Sequence, residues 1–275
     1  MTQGPDGPVL FRDTVQSDSI ALFSSTSSQP LALWSHHQDV DLPEDSGIQL
    51  VIDATDVIAP NSLDITHESF TLRTEETRRG RTSEPVLHIQ SPAVRGTFIR
   101  SPPDDQTDLG VRLPYISIQY RAIGKSRHFA FEVGVADRQG RRGIIRVSSF
   151  HIEPRLYLPT TSQQVASDDQ STGSECSQGA ILHLPLSMTI DSNLDETSHA
   201  SWQVLTLPLE RITKHLSNAA LVEHSDAHKS FHHTAFGTFH SVTYVKIHAN
   251  VRLRRVWCSG RLPDHFDLPE FQLFS

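Results

Sequence analysis

Cysteine is scarce: the 275 residues hold only Cys176 and Cys258. A small secreted scaffold stapled by disulfides is excluded, and two isolated thiols fit a reducing, intracellular compartment. Long apolar runs are also missing. None approaches the roughly 20 residues that cross a bilayer as a helix, so no membrane partner is expected. The opening residues, MTQGPDGP, carry Gly, Pro and Asp in place of the basic-then-apolar order of a secretory signal. Positive charge is in deficit, with 24 Lys and Arg against 32 Asp and Glu and a formal net charge of −8. That balance argues against nucleic acid or an anionic membrane as a partner bound by the whole surface, so any basic contact has to be local. Catalytic signatures are absent as well: there is no Gly-x-Ser-x-Gly elbow, no His-Glu-x-x-His, no Gly-rich phosphate loop and no Cys pair at metal spacing. The expectation is a non-enzymatic chain with no cofactor, no metal and no small-molecule substrate. Ser, His and Asp are abundant, which leaves open only a triad assembled in three dimensions.

What the chain does hold is short period-two alternation, the pattern of strands buried on one face. Phe129, Phe131, Val133 and Val135 share one face, with His128, Glu132 and Ala136 opposite. Val245, Ile247 and Ala249 alternate with Tyr244, Lys246 and His248. Similar runs lie at 48–53, 97–100, 143–149, 181–188, 202–207 and 251–258, with Gly, Pro, Asn or Asp near most boundaries. Many short strands punctuated by turn residues predict an all-β fold, an antiparallel β-sandwich or jelly roll. One short helix is predicted over 209–216, where Leu209, Ile212 and Leu216 fall at helical spacing. A single domain over 10–275 follows from the length, with a flexible N-terminus at 1–9 and three long loop insertions at 59–95, 160–179 and 217–238. The first is a mixed-charge stretch around Arg73, Arg78, Arg79 and Arg81, and the second is almost free of apolar residues. Segments of these compositions solvate rather than pack.

Three groups of residues are candidates for a function. The third insertion spaces His224, His228 and His232 by four, with His233 adjacent. On a helix these could share a face for zinc, but no thiolate or supporting shell is evident, and a His-rich loop is the plainer reading. Trp34, Trp202 and Trp257 would serve a carbohydrate-binding sandwich if exposed and coplanar, whereas their apolar area favours at least two in the core. The basic segments say more. From 241 to 262 the chain holds Lys246, Arg252, Arg254, Arg255 and Arg261 without an acid, and from 138 to 146 it holds Arg138, Arg141, Arg142 and Arg146, again without one. In VRLRRVW, Val251 and Leu253 are expected to face the core and Arg252 and Arg254 to face outward, with a bulge before Val256 changing the phase. Together these cations predict a landing surface for an acidic partner, although ordinary cross-strand pairing would also account for any one of them.

Several motifs occur in an order of their own: PLALW (30–34), LGVRLP (109–114), HFAFEV followed by RRGIIRVSSF (128–150), SWQVLTLPLERI (201–212) and VKIHANVRLRRVWCSGRLPDHFDLPEFQLF (245–274). As an ordered set they resemble the cilia- and flagella-associated protein 20 (CFA20) domain family, over most of the chain outside the insertions. The resemblance implies a β-sandwich acting as a structural microtubule inner protein, at the inner junction where the B-tubule of an axonemal doublet closes on the A-tubule. Its implied partners are tubulin, as microtubules, and other axonemal proteins. Its implied place is the axoneme of a cilium or flagellum, with centriole, basal body or nucleus as further sites for relatives. Arg252, Arg254 and Arg255 are the positions it suggests as contacts, with Lys246, Arg261, Arg141 and Arg142 beside them. A nuclear or cytoplasmic interaction scaffold is the alternative.

Overall fold

The computed structural model describes residues 8–41, 46–53, 84–124, 128–158, 179–186, 202–222 and 236–262. Every segment of predicted alternation contains a strand among the described residues. The described elements, in chain order, are β1 (Ser19–Ser24), β2 (Ser35–His37), β3 (Gly47–Ile52), β4 (Pro85–Gln90), β5 (Phe98–Ser101), β6 (Tyr115–Ala122), β7 (Ala130–Asp137), β8 (Arg142–Ser148), β9 (Arg155–Tyr157), β10 (Ala180–Pro185), β11 (Gln203–Pro208), the helical turn α1 (Leu209–Ile212), β12 (Phe239–His248) and β13 (Val251–Ser259).

They form two sheets. One runs β11-β6-β13-β4-β3, with β1 added along the second half of β13; the other runs β2-β5-β12-β7-β8-β10-β9. All pairs are antiparallel except β10 on β8, which is parallel. The expected all-β sandwich is therefore present, with one parallel pair inside it. Leu87, Ile89, Ile116, Ile118, Leu253 and Val256 from the first sheet and Ile99, Phe131, Val133, Ile145, Leu182 and Ile247 from the second are completely buried in one core. Each such side chain contributes about 1.5–3 kcal/mol of transfer free energy. Tyr120 stacks on Phe129, centroids 5.1 Å apart.

Several expectations need correction. The stretch 59–95 is not wholly a projecting insertion, because β4 lies inside it, pairs with β3 and β13, and buries Val86, Leu87 and Ile89 completely. The charged residues before it obscure a six-residue apolar strand. Pro8 and Val9, expected to be flexible, are tied down: Val9 bridges Asp108, and the Asp108 N–H donates to the Pro8 carbonyl at 2.9 Å. Within 217–238, residues 219–221 form a 3-10 turn and Val222 bridges Leu156. The predicted helix over 209–216 shortens to α1 and continues as a 3-10 turn, Thr213–Ser217, while still burying Leu209 and Leu216. Thr213 Oγ1 donates to the Leu209 carbonyl at 2.8 Å, a local bond of the kind that competes with a regular helix. The run His224 to His233 and nearly all of 160–179 lie outside the described residues.

The bulge expected before Val256 is real. The β13–β6 register shifts between Leu253 and Arg255, which returns Val256 and Cys258 to the core after Val251 and Leu253.

Candidate functional site

Two of the three arginines of β13, Arg252 and Arg254, do not face solvent. Arg252 is 8% exposed and Arg254 1%. Arg252 stands opposite Arg121 of β6, and both guanidiniums share one carboxylate oxygen of the fully buried Asp53, at 2.8 Å and 2.6 Å. The other oxygen accepts from Trp202 Nε1 at 3.2 Å, while Arg252 Nε donates to His88 Nδ1 at 3.2 Å. Arg254 is paired with Glu84. The prediction that Arg252 and Arg254 face outward is therefore overturned for a physical reason. Facing away from the sandwich core is not the same as facing water, and Asp53 and Glu84, which flank β3 and β4, supply the opposite charge. Arg255 is half-buried beside β1, and Arg261 is exposed just after β13. Arg141 donates to Asp137 at 2.6 Å within the β7–β8 turn, where Gly140 has φ of +78°. Arg142 makes a two-pronged pair with Asp108 at 2.8 and 2.9 Å. The tryptophan platform is absent too: Trp34 and Trp257 are buried, and Trp202 packs against Arg121.

A different assembly appears on the outward face of the seven-stranded sheet. Its register places one row of side chains across all seven strands, running Ser35, Arg100, Lys246, Glu132, Arg146, His183 and Arg155. The row carries four fixed cations and one carboxylate. Arg100 lies directly opposite Lys246, a like-charge cross-strand pair that costs stability unless something else compensates. Arg100 pairs outward with Asp105 at 2.8 Å and lies over the Tyr244 ring at 5.1 Å. Lys246 sits 3.7 Å from the centre of the Phe98 ring. Tyr244 reaches across β7 because Gly134 has no side chain; a Cβ there would come within 2.3 Å of the ring.

Glu132 is the hub. Its Oε1 accepts from Arg146 Nε at 2.7 Å and from His248 Nε2 at 3.2 Å, and its Oε2 accepts from the Tyr244 hydroxyl at 3.4 Å. Burial alone would raise its pKa. The His248 hydrogen bond and the charges of His248, Arg146 and Lys246 outweigh burial and hold it at about 2. Burial lowers the Lys246 ammonium below its ordinary value, against the pull of Glu132, and raises the Tyr244 phenol, with Glu132 adding to the rise. Beyond Arg146, its Nη1 donates to His183 Nε2 at 3.4 Å, which leaves Nδ1 of the neutral ring to donate to His151 Nε2. Burial, then Arg146, push the His183 pKa down to about 4. His151 is lowered by burial and by Arg146, Arg155 and Arg95.

Of the residues named from sequence, Lys246 and Arg146 belong to this row and Arg252, Arg254, Arg141 and Arg142 do not. Arg100, Glu132, His183 and Arg155 were missed as a set, since each lies on a different strand and only the pairing register unites them. Among the described residues no group of three or more His, Cys, Asp or Glu could hold a metal ion. Chemically, the face offers fixed positive charge and aromatic edges.

Residues 77–164 match the CFA20 domain, a span that contains β4 to β9 and with them Arg100, Glu132, Arg146 and Arg155. Cilia- and flagella-associated protein 20 of Chlamydomonas reinhardtii is 24% identical over 267 residues, 96% of this chain and 97% of its own. The protein of the same name from Paramecium tetraurelia is 27% identical over 69% of this chain and 73% of its own length. That from Caenorhabditis elegans is 22% identical over 96% and 91%. Part of this chain thus matches the CFA20 domain, and nearly its whole length is similar to proteins named cilia- and flagella-associated protein 20. The resemblance read from the motifs stands on both the domain match and the near-complete span of the relatives. The strand register adds what sequence similarity does not supply, namely which side chains share a face.

Proposed function

We propose that this chain is a non-enzymatic structural protein of cilia or flagella that binds microtubules in the axoneme, as an inner-junction microtubule inner protein. The observation that carries the reading is the match, along nearly the whole chain, to relatives named cilia- and flagella-associated protein 20. The architecture supports it. Two sheets locked through one core give rigid faces, and rigid faces suit a protein that bridges fixed neighbours in a lattice. Side chains of the outward row are held by hydrogen bonds, ion pairs and ring contacts, so little ordering entropy remains to be lost on binding. The test is retention. A tagged chain expressed in a ciliated cell should stay with axonemes after detergent extraction and leave only when the doublets are disrupted. Release with the soluble and membrane fraction would reject an axonemal structural role.

A further inference from the structure

The N-terminal segment, the strand-like stretch before β6 and the start of β12 enclose a cavity of about 130 Å³, lined by Val9, Arg12, Gly110, Arg112, His240 and Ser241. Three backbone features build it. Val9 bridges Asp108, and the Phe11 N–H donates to the Leu109 carbonyl at 2.9 Å, so the first segment runs beside the second. The Gln16 amide clamps the two together, donating to the Gly110 carbonyl at 2.9 Å and accepting from the Arg112 N–H at 2.7 Å. Gly110 has φ of +73°, and a Cβ there would lie 2.2 Å from Val9 Cγ1. On β12 the register shifts between Phe239 and Ser241, which makes His240 the extra residue of a bulge. Successive residues of a regular strand face opposite ways, and the bulge re-aims one of them, so that His240 and Ser241 line the same cavity.

No Asp or Glu lines this cavity. Asp108 is held by both prongs of Arg142, and Asp137 is paired with Arg141. Arg12 makes an interaction of its own and is followed along the chain by the exposed Asp13, so Arg112, His240 and Ser241 carry the site. Arg112 and His240 are exposed, and among the described residues neither side chain meets a carboxylate. Ser241 is only 8% exposed, yet its hydroxyl has no hydrogen-bond partner among the described residues. A buried hydroxyl is ordinarily bonded, and this one borders a cavity next to a guanidinium and an imidazole. We propose that the cavity binds a phosphoryl group. Arg112 makes a charge-assisted, two-pronged pair with two of its oxygens, and the His240 ring N–H and the Ser241 hydroxyl donate to it from β12. A tetrahedral group with three terminal oxygens uses all of these donors, whereas a planar carboxylate with two oxygens leaves part of the set unmet. The group comes from a phosphorylated side chain or from free phosphate. The site goes beyond the axonemal reading and does not depend on it.

The test is a titration of the isotopically labelled full chain with inorganic phosphate, phosphoserine and acetate in phosphate-free buffer, followed by backbone amide shifts in NMR. Phosphate should shift the amides of Gly110, Arg112, His240 and Ser241 saturably, at concentrations where acetate does not. Arg112→Ala should bind about tenfold more weakly, the loss expected for one charge-assisted pair. Arg211→Ala, which removes an exposed cation of α1 that does not line the cavity, should bind as the native chain does. If Arg112→Ala loses the native spectrum, His240→Ala, also at an exposed position, carries the same expectation of weaker binding. Tighter binding of phosphoserine than of phosphate supports the site and assigns a phosphorylated side chain as the source; the reverse order supports it and assigns free phosphate. The proposal is overturned if phosphate causes no saturable shift, if acetate saturates the same amides at equal or lower concentration, or if the folded variant binds as native. Sedimentation with microtubules is read separately: a native chain that binds phosphate and does not pellet keeps this site and rejects the microtubule function.

Discussion

Removing the Asp53 carboxylate is the sharpest perturbation of the scaffold. Asp53 has no exposed surface and sits between Arg121 and Arg252, themselves opposed across β6 and β13. In Asp53→Ala both guanidiniums keep their burial and lose their shared counter-ion, and the Trp202 indole loses its acceptor. Breaking one side of a buried ion pair costs about 3–5 kcal/mol, because the remaining charge stays desolvated. For a chain of this size that lowers Tm by roughly 6–20 °C, at about 2–4 °C per kcal/mol. Urea denaturation followed by tryptophan fluorescence reads the change directly. Two comparisons give the number meaning. Asp108→Ala removes the partner of the half-exposed Arg142 and should cost no more than about 1 kcal/mol, as solvent-exposed pairs do. Adding Arg252→Met to Asp53→Ala removes one of the two buried cations that shared the carboxylate and should recover part of the loss. A cost below about 1 kcal/mol for Asp53→Ala would refute the buried network and return these arginines to the surface.

The remaining predictions concern the outward face and the core. Glu132 has a folded pKa depressed to about 2 from 4.5, so the stability it contributes is complete above the unfolded value and is lost as pH falls through the folded one. Denaturation between pH 5 and pH 2 should show a loss of about 3 kcal/mol that is missing in Glu132→Gln; identical slopes in both proteins would contradict the hub. Gly134→Ala drives a methyl into the Tyr244 ring and should cost about 1–3 kcal/mol in urea denaturation, with Tyr244→Ala in the same background relieving much of it. Burial pushes the Cys258 thiol up to about 12, so peptide mapping after treatment with a thiol reagent at neutral pH should find it unlabelled in the folded protein and labelled after unfolding.

Much of the scaffold is legible in sequence because burial on one face writes period two into the chain. That signal locates strands such as β7, β12 and β13, and the phase change in VRLRRVW marks the bulge. It fails for β4, where the apolar run PVLHIQ is short and follows a long charged stretch. It also says which side chains point away from the core without saying what they meet there. Arg252 and Lys246 are equivalent by alternation, yet one is sealed against Asp53 and the other stands in the outward row. The row itself leaves no trace in the sequence, since Arg100, Lys246, Glu132, Arg146, His183 and Arg155 are brought together by register alone, and register is set by pairings far apart along the chain.

Co-sedimentation with stabilised microtubules across a salt series tests the central claim most directly. The native chain should pellet saturably at low salt and progressively less as exposed charge is screened. Failure of the native chain to pellet at low salt, while folded, would contradict microtubule binding and leave a sandwich scaffold with another partner.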